Sequence, residues 1–265
     1  MITYPHIDPI ALSVGPFAIR WYGLSYLAGI SSGYFFLKKD YQRVFHWTTD
    51  QVLDLFTWLV MGVMLGGRFG YVLIYDFAYF MQYPTHVFAF WEGGMSYHGA
   101  AFGAMMAMIL FARKMKVSAL PLLDFLGIGS CFGLFFGRLA NFVNGELYGR
   151  VTEVSWGMVF PNGGVLPRHP SQLYESFCEG IVLFSILFVL KKKALLKPGQ
   201  LFGFYLIFYG LFRFMLEFFR EPDAQLGTVF GPFSMGQLLC GLMLLLGAGF
   251  VIRGGFSSNK SGYDI

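Results

Sequence analysis

Long apolar runs alternate with short charged segments along this chain, and that alternation restricts its fold more than any other feature. The hydrocarbon core of a bilayer is about 30 Å thick and is crossed by roughly 20 apolar residues in a helix. Seven segments approach this length: 17–37, 53–75, 95–112, 119–139, 173–190, 200–219 and 235–252. We therefore predict an all-α membrane protein, in which residues 1–265 form a single integral-membrane domain, a bundle of seven transmembrane helices.

The composition also favours a membrane protein over a soluble one. Charged residues make up 13% of the 265 residues and hydrophobic residues 56%, whereas soluble domains contain about 25% charged residues. The net charge of +4 does not indicate an acidic partner, because the positions of the charges matter more than their sum. We predict no nucleic-acid partner.

The basic residues predict the orientation of the bundle. Every lysine lies at one set of span ends, whereas the opposite ends carry only arginines: Arg20, Arg150, Arg168 and Arg220. Cytoplasmic loops of membrane proteins are enriched in Lys and Arg. We therefore predict an N-terminus outside, a C-terminus in the cytoplasm, and a small extracytoplasmic loop region between the fourth and fifth spans.

The cysteines and glycines predict packing, not chemistry. Cys131, Cys178 and Cys240 lie in apolar stretches and form no CxxC pair or ligand cluster, so we predict no disulfide, no metal site and no cofactor. The N-terminal stretch lacks a basic segment, so we do not expect a cleaved signal peptide. Small residues at four-residue spacing let membrane helices approach closely. Three such series predict packing seams: Gly62/Gly66/Gly70, Gly99/Gly103 and Gly129/Gly133/Gly137.

With this topology, the polar residues of several spans reach the outer membrane level. Ionisable residues at membrane depth are costly and are candidates for a functional site. Four separate segments contribute them: Arg20, Trp21 and Tyr22; His98; Arg138 with Asn141, Asn144 and Glu146; and the helical stripe Tyr205, Tyr209, Arg213 and Glu217.

Each of these residues also has a purely structural interpretation. Arg213 and Glu217 are spaced as a neutralising helical pair, and Arg138 alone suits a side chain that reaches the interface. His98 fits a hydrogen-bonded interior histidine, while Trp21 and Tyr22 fit an interfacial aromatic belt. Arg68, in the second span, has two open interpretations, a bond to neighbouring carbonyls or a functional role. The convergence of several segments on one level favours a site.

Two arginines at this level indicate an anionic ligand, because guanidinium groups stay charged and bind phosphate in a bidentate manner. A histidine, with an ordinary pKa near 6.5, accepts a proton at neutral pH. Together they predict phosphate-linked chemistry on a phospholipid. Spacing and charge do not identify the acceptor.

The stretch GRLANFVNGELYGR (137–150) closely resembles the signature of bacterial prolipoprotein diacylglyceryl transferases. Five further blocks resemble the same family in the same order: RWYG (20–23), GGRFGY (66–71), EGGMSYHG (92–99), LPRHPSQLYE (166–175) and YGLFRFMLEFFREPD (209–223). Ala140 departs from the glycine usual in the family, and the outer loop 151–165 is short beside that of some relatives.

The resemblance implies a transferase for the first step of bacterial lipoprotein maturation. Such enzymes move the diacylglyceryl group of phosphatidylglycerol to the lipobox cysteine of a preprolipoprotein, forming a thioether and releasing glycerol phosphate. It implies a place in the plasma membrane, the inner membrane of a Gram-negative cell, with the site on the extracytoplasmic side. The nucleophile then belongs to the substrate, so the enzyme requires no reactive cysteine.

The residues that match the family blocks receive roles as hypotheses. His98 acts as a base or orients the thiol, with Tyr209 or Tyr22 as competing proton-handling groups, and Arg138 and Arg213 hold the phosphate. The predicted catalytic residues are thus His98, Arg138, Arg213 and Tyr209. The predicted phosphatidylglycerol-binding residues are Arg138, Arg213, Tyr22, Asn141, Asn144, Glu146 and Glu217.

A secondary transporter of an anionic solute is the main alternative, because paired arginines and glycine-rich helices occur there too. A transporter site typically lies near the midplane between inverted repeats. In this chain the polar groups gather towards one face, and no two halves match. A structural or receptor-like bundle is a third class, which the crowding of ionisable groups disfavours.

Overall fold

The computed structural model describes residues 2–5, 7–15, 17–90, 93–193, 196–221, 228–230 and 233–256. The chain is mostly helical. Its α-helices are α1 (Trp21–Phe45), α2 (Thr49–Ile74), α3 (Phe77–Gln82), α4 (Tyr97–Met115), α5 (Ala119–Val143), α6 (Ser171–Glu175), α7 (Leu183–Lys193), α8 (Gln200–Leu216) and α9 (Met235–Phe256). A π-helical segment, Ser176–Val182, joins α6 to α7, and a 3₁₀ turn covers Pro84–Phe88.

Within the described ranges, four helices are long and apolar enough to cross a membrane. They are Thr49–Ile74, Ala119–Val143, Ser171–Lys193 and Gly236–Arg253, and Gln200–Leu216 is a shorter apolar helix. The mostly helical character and the presence of several candidate membrane spans agree with the expectation from hydropathy.

Short strands are the main departure from the sequence prediction. The described residues contain six strands in three two-stranded sheets: β1 (Ile2–Thr3) with β4 (Met158–Val159), β2 (Ile10–Val14) with β3 (Phe17–Arg20), and β5 (Thr228–Phe230) with β6 (Phe233–Ser234). The predicted span 17–37 was wrong at its start, because residues 17–20 pair with β2 as an antiparallel hairpin. Its helix begins at Trp21 and continues to Phe45, where His46 takes a left-handed φ of 56°.

The chain divides into two compact units, residues 37–126 and residues 1–36 with 127–265. The first of these units contains a glycine seam between α2 and α4. A Cβ on Gly62 would lie 2.5 Å from Gly103 O, and a Cβ on Gly70 would lie 2.8 Å from Gly99 Cα. Since no side chain fits between these backbones, the two glycine series predicted as packing seams are confirmed.

The third glycine series is only partly a seam. A Cβ on Gly29 would lie 3.0 Å from Gly133 Cα, so α1 and α5 approach closely there. A Cβ on Gly137, by contrast, would meet no atom within 4 Å. The prediction was therefore wrong for Gly137, because that face of α5 is open.

A small aromatic cluster holds the N-terminal residues against the end of α5. Tyr4 packs with Met158 and Phe160, with Phe142 and Tyr148 alongside. The Tyr4 hydroxyl donates to the carbonyl of Phe142 at 2.6 Å. Because the last carbonyls of a helix have no intrahelical partner, Tyr4 caps the C-terminal end of α5, which lies within the polar stretch 137–150.

Candidate functional site

Arg138 and Arg213, from α5 and α8, contact the same carboxylate. Arg138 Nε lies 2.8 Å from Glu175 Oε2, and Arg213 Nη1 lies 3.0 Å from Glu175 Oε1. The Glu175 side chain ends α6 and is 0% exposed. The two arginines singled out in the sequence therefore lie within one ion-pair network.

Further charged side chains extend this network. Arg213 Nη2 lies 2.8 Å from Glu217 Oε2, which is the helical pair considered above. Arg220 Nη1 lies 3.5 Å from Glu175 Oε1, and Arg138 Nη2 lies 3.7 Å from Glu179 Oε2. We call the set the arginine–glutamate cluster: Arg138, Arg213, Arg220, Glu175, Glu179 and Glu217.

Tight packing on α5 positions the two buried glutamates. Ser176 Oγ donates to Phe135 O at 3.1 Å, and a Cβ on Gly180 would lie 2.7 Å from Phe135 Cβ. The π-helical segment therefore presses on α5 one turn before Arg138, and Glu179 from that segment is fully buried. Short π-helical turns are frequent at functional sites.

The polar residues after Arg138 contact one another. Asn141 Nδ2 donates to Glu146 Oε1 at 2.8 Å, and Asn144 Nδ2 donates to the same oxygen at 3.4 Å. Asn141 is buried. Glu146 Oε1 is thus an acceptor shared by both asparagines, and it joins the end of α5 to the loop that follows.

The N-terminal turn of α6 holds the loop that follows α5 in place through residues 146 and 147. Leu147 has a φ of 56°, in the left-handed region that costs a non-glycine residue roughly 1–2 kcal/mol. Gln172 Nε2 donates to Glu146 O at 2.6 Å, and Ser171 Oγ donates to Leu147 O at 3.0 Å. The block LPRHPSQLYE therefore supports the signature stretch and also supplies Glu175.

Gly149 lies where three backbone segments meet. Its N–H donates to His169 O at 2.8 Å, and the next N–H, that of Arg150, donates to Phe219 O at 2.9 Å. A Cβ on Gly149 would lie 2.7 Å from His169 Cβ and would overlap Phe219 O. Any side chain at 149 would therefore separate residues 219–220 from this junction, and with them Arg220.

His169 lies at this junction, outside the candidate spans. Its Nδ1 lies 3.2 Å from the Tyr174 hydroxyl, and its ring packs edge-on against Phe219 at 5.2 Å. Partial burial lowers the pKa of His169 from its ordinary value. The neutral imidazole is therefore the form that the folded loop favours.

The predicted proton-handling tyrosines have different surroundings. Tyr209 is buried in α8, one helical turn before Arg213, and stacks on Tyr205 with ring centroids 5.7 Å apart. Tyr22 is exposed in the first turn of α1, and its hydroxyl accepts from Tyr26 at 3.3 Å. Tyr209 is thus adjacent in α8 to an arginine of the cluster, while Tyr22 faces outward.

His98 belongs to the unit formed by residues 37–126. It is exposed in the first turn of α4, which Ser96 begins by accepting the N–H of Gly99 at 3.2 Å. Its ring lies edge-on to Tyr97 at 5.8 Å. Its imidazole is therefore accessible to a second molecule.

Arg68, in the same unit, bonds backbone carbonyls. Its Nε donates to Val87 O at 2.9 Å, and its terminal nitrogens donate to the carbonyls of His86, Gly93 and Gly94. Arg68 is 2% exposed. Of its two open interpretations, the structure supports carbonyl bonding, which fixes the segment leading into α4.

Sequence reasoning missed Glu175, Glu179 and Arg220. Glu175 and Glu179 lie in a predicted span four residues apart, and paired carboxylates in an apolar segment were a usable signal. Within the described ranges, no cluster of three His, Cys, Asp or Glu side chains is arranged to hold a metal ion. Cys131, Cys178 and Cys240 are free thiols.

Comparison with known proteins identifies the family. The sequence pattern of prolipoprotein diacylglyceryl transferase matches residues 9–253. The chain belongs to that family. A phosphatidylglycerol–prolipoprotein diacylglyceryl transferase of Geobacter sulfurreducens is 50% identical over 248 residues, which are 93% of this chain and 95% of the relative.

Two more relatives carry the same name. The protein of Pasteurella multocida is 51% identical and covers 93% of this chain and 92% of its own length. The protein of Nitratidesulfovibrio vulgaris is 46% identical over 98% of this chain and 100% of its own length. The family therefore accounts for nearly the whole chain and includes both units.

Proposed function

We propose that this protein transfers the diacylglyceryl group of phosphatidylglycerol to the lipobox cysteine of a preprolipoprotein. The observation that carries the proposal is the convergence of Arg138 and Arg213 on Glu175 from different helices. Guanidinium groups that bind a carboxylate can bind a phosphate with the same donors. Membership of the family and the names of its relatives support the same reaction.

The reaction exchanges a carbon–oxygen bond for a carbon–sulfur bond. The substrate thiol loses its proton, its sulfur bonds to the diacylglyceryl carbon, and the ester oxygen leaves with its electron pair as part of glycerol phosphate. His98 accepts the thiol proton or orients the thiol, with Tyr209 and Tyr22 as the competing groups. Arg138 and Arg213 bind the phosphate and stabilise its growing charge.

The remaining site residues act on the arginines or on the head group. Glu217 pairs with Arg213 and so sets the direction of its guanidinium. Asn141, Asn144 and Glu146 form a hydrogen-bonded group that we assign to the glycerol head group. These assignments make the arginine–glutamate cluster the phosphate end of the site.

We further propose how the chain crosses the membrane and which side of the membrane the site faces. A single integral-membrane domain crosses the bacterial plasma membrane seven times, with the N-terminus outside and the C-terminus in the cytoplasm. The site then faces the extracytoplasmic side, where secreted preprolipoproteins arrive; in a Gram-negative cell this membrane is the inner one. The one-sided distribution of lysine supports this orientation.

The direct test is a transfer assay with purified protein in phosphatidylglycerol vesicles. A peptide with a lipobox cysteine gains one diacylglyceryl group, detected by mass spectrometry, while the same peptide with serine at that position does not. Vesicles of phosphatidylcholine alone give no product. Flux of an anionic solute across the vesicles without peptide lipidation would overturn the proposal in favour of a transporter.

A further inference from the structure

Glu179 has the weakest pairing of the three glutamates in the arginine–glutamate cluster. It is 0% exposed, and neither of its carboxylate oxygens has a hydrogen-bond partner among the described residues. Its ion pair there is the 3.7 Å contact with Arg138. Glu175 and Glu217, by contrast, each approach an arginine nitrogen to 2.8 Å.

The charges of the cluster balance before any ligand binds. Among the residues that the structure describes, it contains three arginines and three glutamates, so it is neutral when all six are ionised. A phosphodiester adds one negative charge. The occupied cluster would then hold an uncompensated charge in surroundings where the arginine side chains are only 11–15% exposed.

Exchange of partners does not remove this excess charge. If Arg138 turned from Glu175 to the phosphate, a fully buried carboxylate would lose its closest ion pair. Breaking a buried ion pair by removing one partner costs about 3–5 kcal/mol. Addition of a proton to one carboxylate restores neutrality and leaves each arginine in place.

Glu179 is the group best suited to receive that proton. Glu217 is held by Arg213, and its Oε1 would lie 3.2 Å from a Cβ on Gly236, so it reaches the first turn of α9. Helix N-termini favour negative charge. Glu175 contacts three arginines. Glu179, by comparison, has the single 3.7 Å ion pair with Arg138 among the described residues.

The neighbours of Glu179 come from every element packed around it. The charged groups that interact with it are Arg138 from α5, Glu175 from α6, Arg213 from α8 and Arg220 beyond α8, together with the thiols of Cys131, Cys178 and Cys240. A neutral carboxylic acid at 179 leaves the three arginines facing two carboxylates and the phosphate, which is again balanced.

We propose that Glu179 takes up a proton from solvent when the phosphodiester of the lipid binds. The inference rests on the proposed function, and it makes Glu179 a positioning residue that adjusts the charge of the arginine–glutamate cluster. One O–H bond forms on binding. That proton returns to solvent when glycerol phosphate leaves.

Calorimetry of phosphatidylglycerol binding, in two buffers of different ionisation enthalpy, counts the protons. Wild-type protein takes up close to one proton per lipid, and its Kd rises with pH by up to about tenfold per pH unit. Glu179→Gln takes up close to none, and its Kd changes little with pH. At alkaline pH the variant binds the lipid more tightly than wild type, whereas loss of a merely structural residue would weaken binding.

Three controls isolate the charge effect. Glu153→Gln, at an exposed loop position, keeps the wild-type proton count. Diacylglycerol, which has the acyl chains but no phosphate, binds without proton uptake. Glu179→Asp keeps a carboxyl group and retains the uptake, so the pair of substitutions at 179 separates charge from packing.

Infrared difference spectroscopy tests the wild type without any substitution. An ether-linked phosphatidylglycerol has no ester carbonyl, so a protonated-carboxyl band that appears on its binding belongs to the protein. Wild-type protein that binds and transfers lipid without this band, or without proton uptake, overturns the inference alone. Wild-type protein that neither binds nor transfers overturns the proposed function.

Discussion

Arg68 and Arg138 both lie in apolar helices, Arg68 buried and Arg138 partly buried, yet different acceptors hold them. Among the described residues, the hydrogen bonds of Arg68 go to the backbone carbonyls of residues 86, 87, 93 and 94, while Arg138 contacts the carboxylates of Glu175 and Glu179. A carbonyl is fixed by the chain and carries no charge. A carboxylate side chain shares its chemistry with phosphate. The comparison indicates that Arg68 stabilises the fold, and it is consistent with the phosphate-binding role that we propose for Arg138.

The largest expected effect is the loss of transfer in Arg138→Ala. The substitution removes a phosphate donor and leaves Glu175 without its closest pair, so we expect the rate to fall by about 10²–10³-fold or more. The measurement is diacylglyceryl transfer to a lipobox peptide in phosphatidylglycerol vesicles. The matched control is Arg113→Ala, at an exposed position in the last turn of α4, and it keeps its activity. Near-normal transfer by Arg138→Ala would contradict the phosphate assignment.

Arg68→Lys tests the other half of the comparison. One ammonium group cannot replace a planar fork that reaches carbonyls on two sides, so buried carbonyls lose their donors at a cost of about 2–4 kcal/mol in total. We expect a lower apparent Tm in detergent, with the folded fraction retaining transfer within a few-fold. Arg113→Lys serves as the stability control. A variant with wild-type Tm but no transfer would place Arg68 in the chemistry instead.

Gly103→Ala removes stability without changing any charge. The new methyl group would overlap Gly62 O in the seam between α2 and α4, and overpacking of this kind costs roughly 1–3 kcal/mol. Apparent Tm measures the effect. Gly241→Ala is the control, because a Cβ there meets no atom within 4 Å. Equal Tm values for the two variants would show that the helices separate at little cost.

The smallest effect concerns pH and His169. Burial lowers the pKa of His169 below its ordinary value of 6.5, so the unfolded chain binds the proton more readily than the folded protein. Stability is therefore fully present above about pH 6.5 and declines as pH falls towards the lowered pKa. Apparent Tm between about pH 8 and about pH 5.5 should fall less in His169→Asn than in wild type. An unchanged pH dependence would exclude His169 as its source.

Hydropathy and glycine spacing predicted the helices well because both depend on local sequence. The predicted span 119–139 corresponds to Ala119–Val143, and 200–219 corresponds to Gln200–Leu216. Strand β3 was missed, since its four residues are apolar enough to join the helix that follows. The π-helical segment was missed because an apolar run contains no signal for its wider turn.

Tertiary contacts decided what the sequence left open. Arg68 bonds carbonyls 18 to 26 residues away in sequence, and no spacing rule identifies such partners. The pairing of Arg213 with Glu217 follows from helical spacing, but the sharing of Glu175 depends on how three helices pack. The family blocks predicted a site around Arg138 and Arg213, and the structure adds the carboxylates of Glu175 and Glu179 that pair with these arginines.

The parallel pairing of Ile2 with Met158 has a consequence for biosynthesis. Residues 2–3 cannot form this pairing until residues 158–159 have been synthesised. Until then the carbonyls at the end of α5 lack the Tyr4 hydroxyl. The β1–β4 pairing and the Tyr4 hydrogen bond are thus completed late in assembly, and a bulky fusion ahead of Ile2 would delay them.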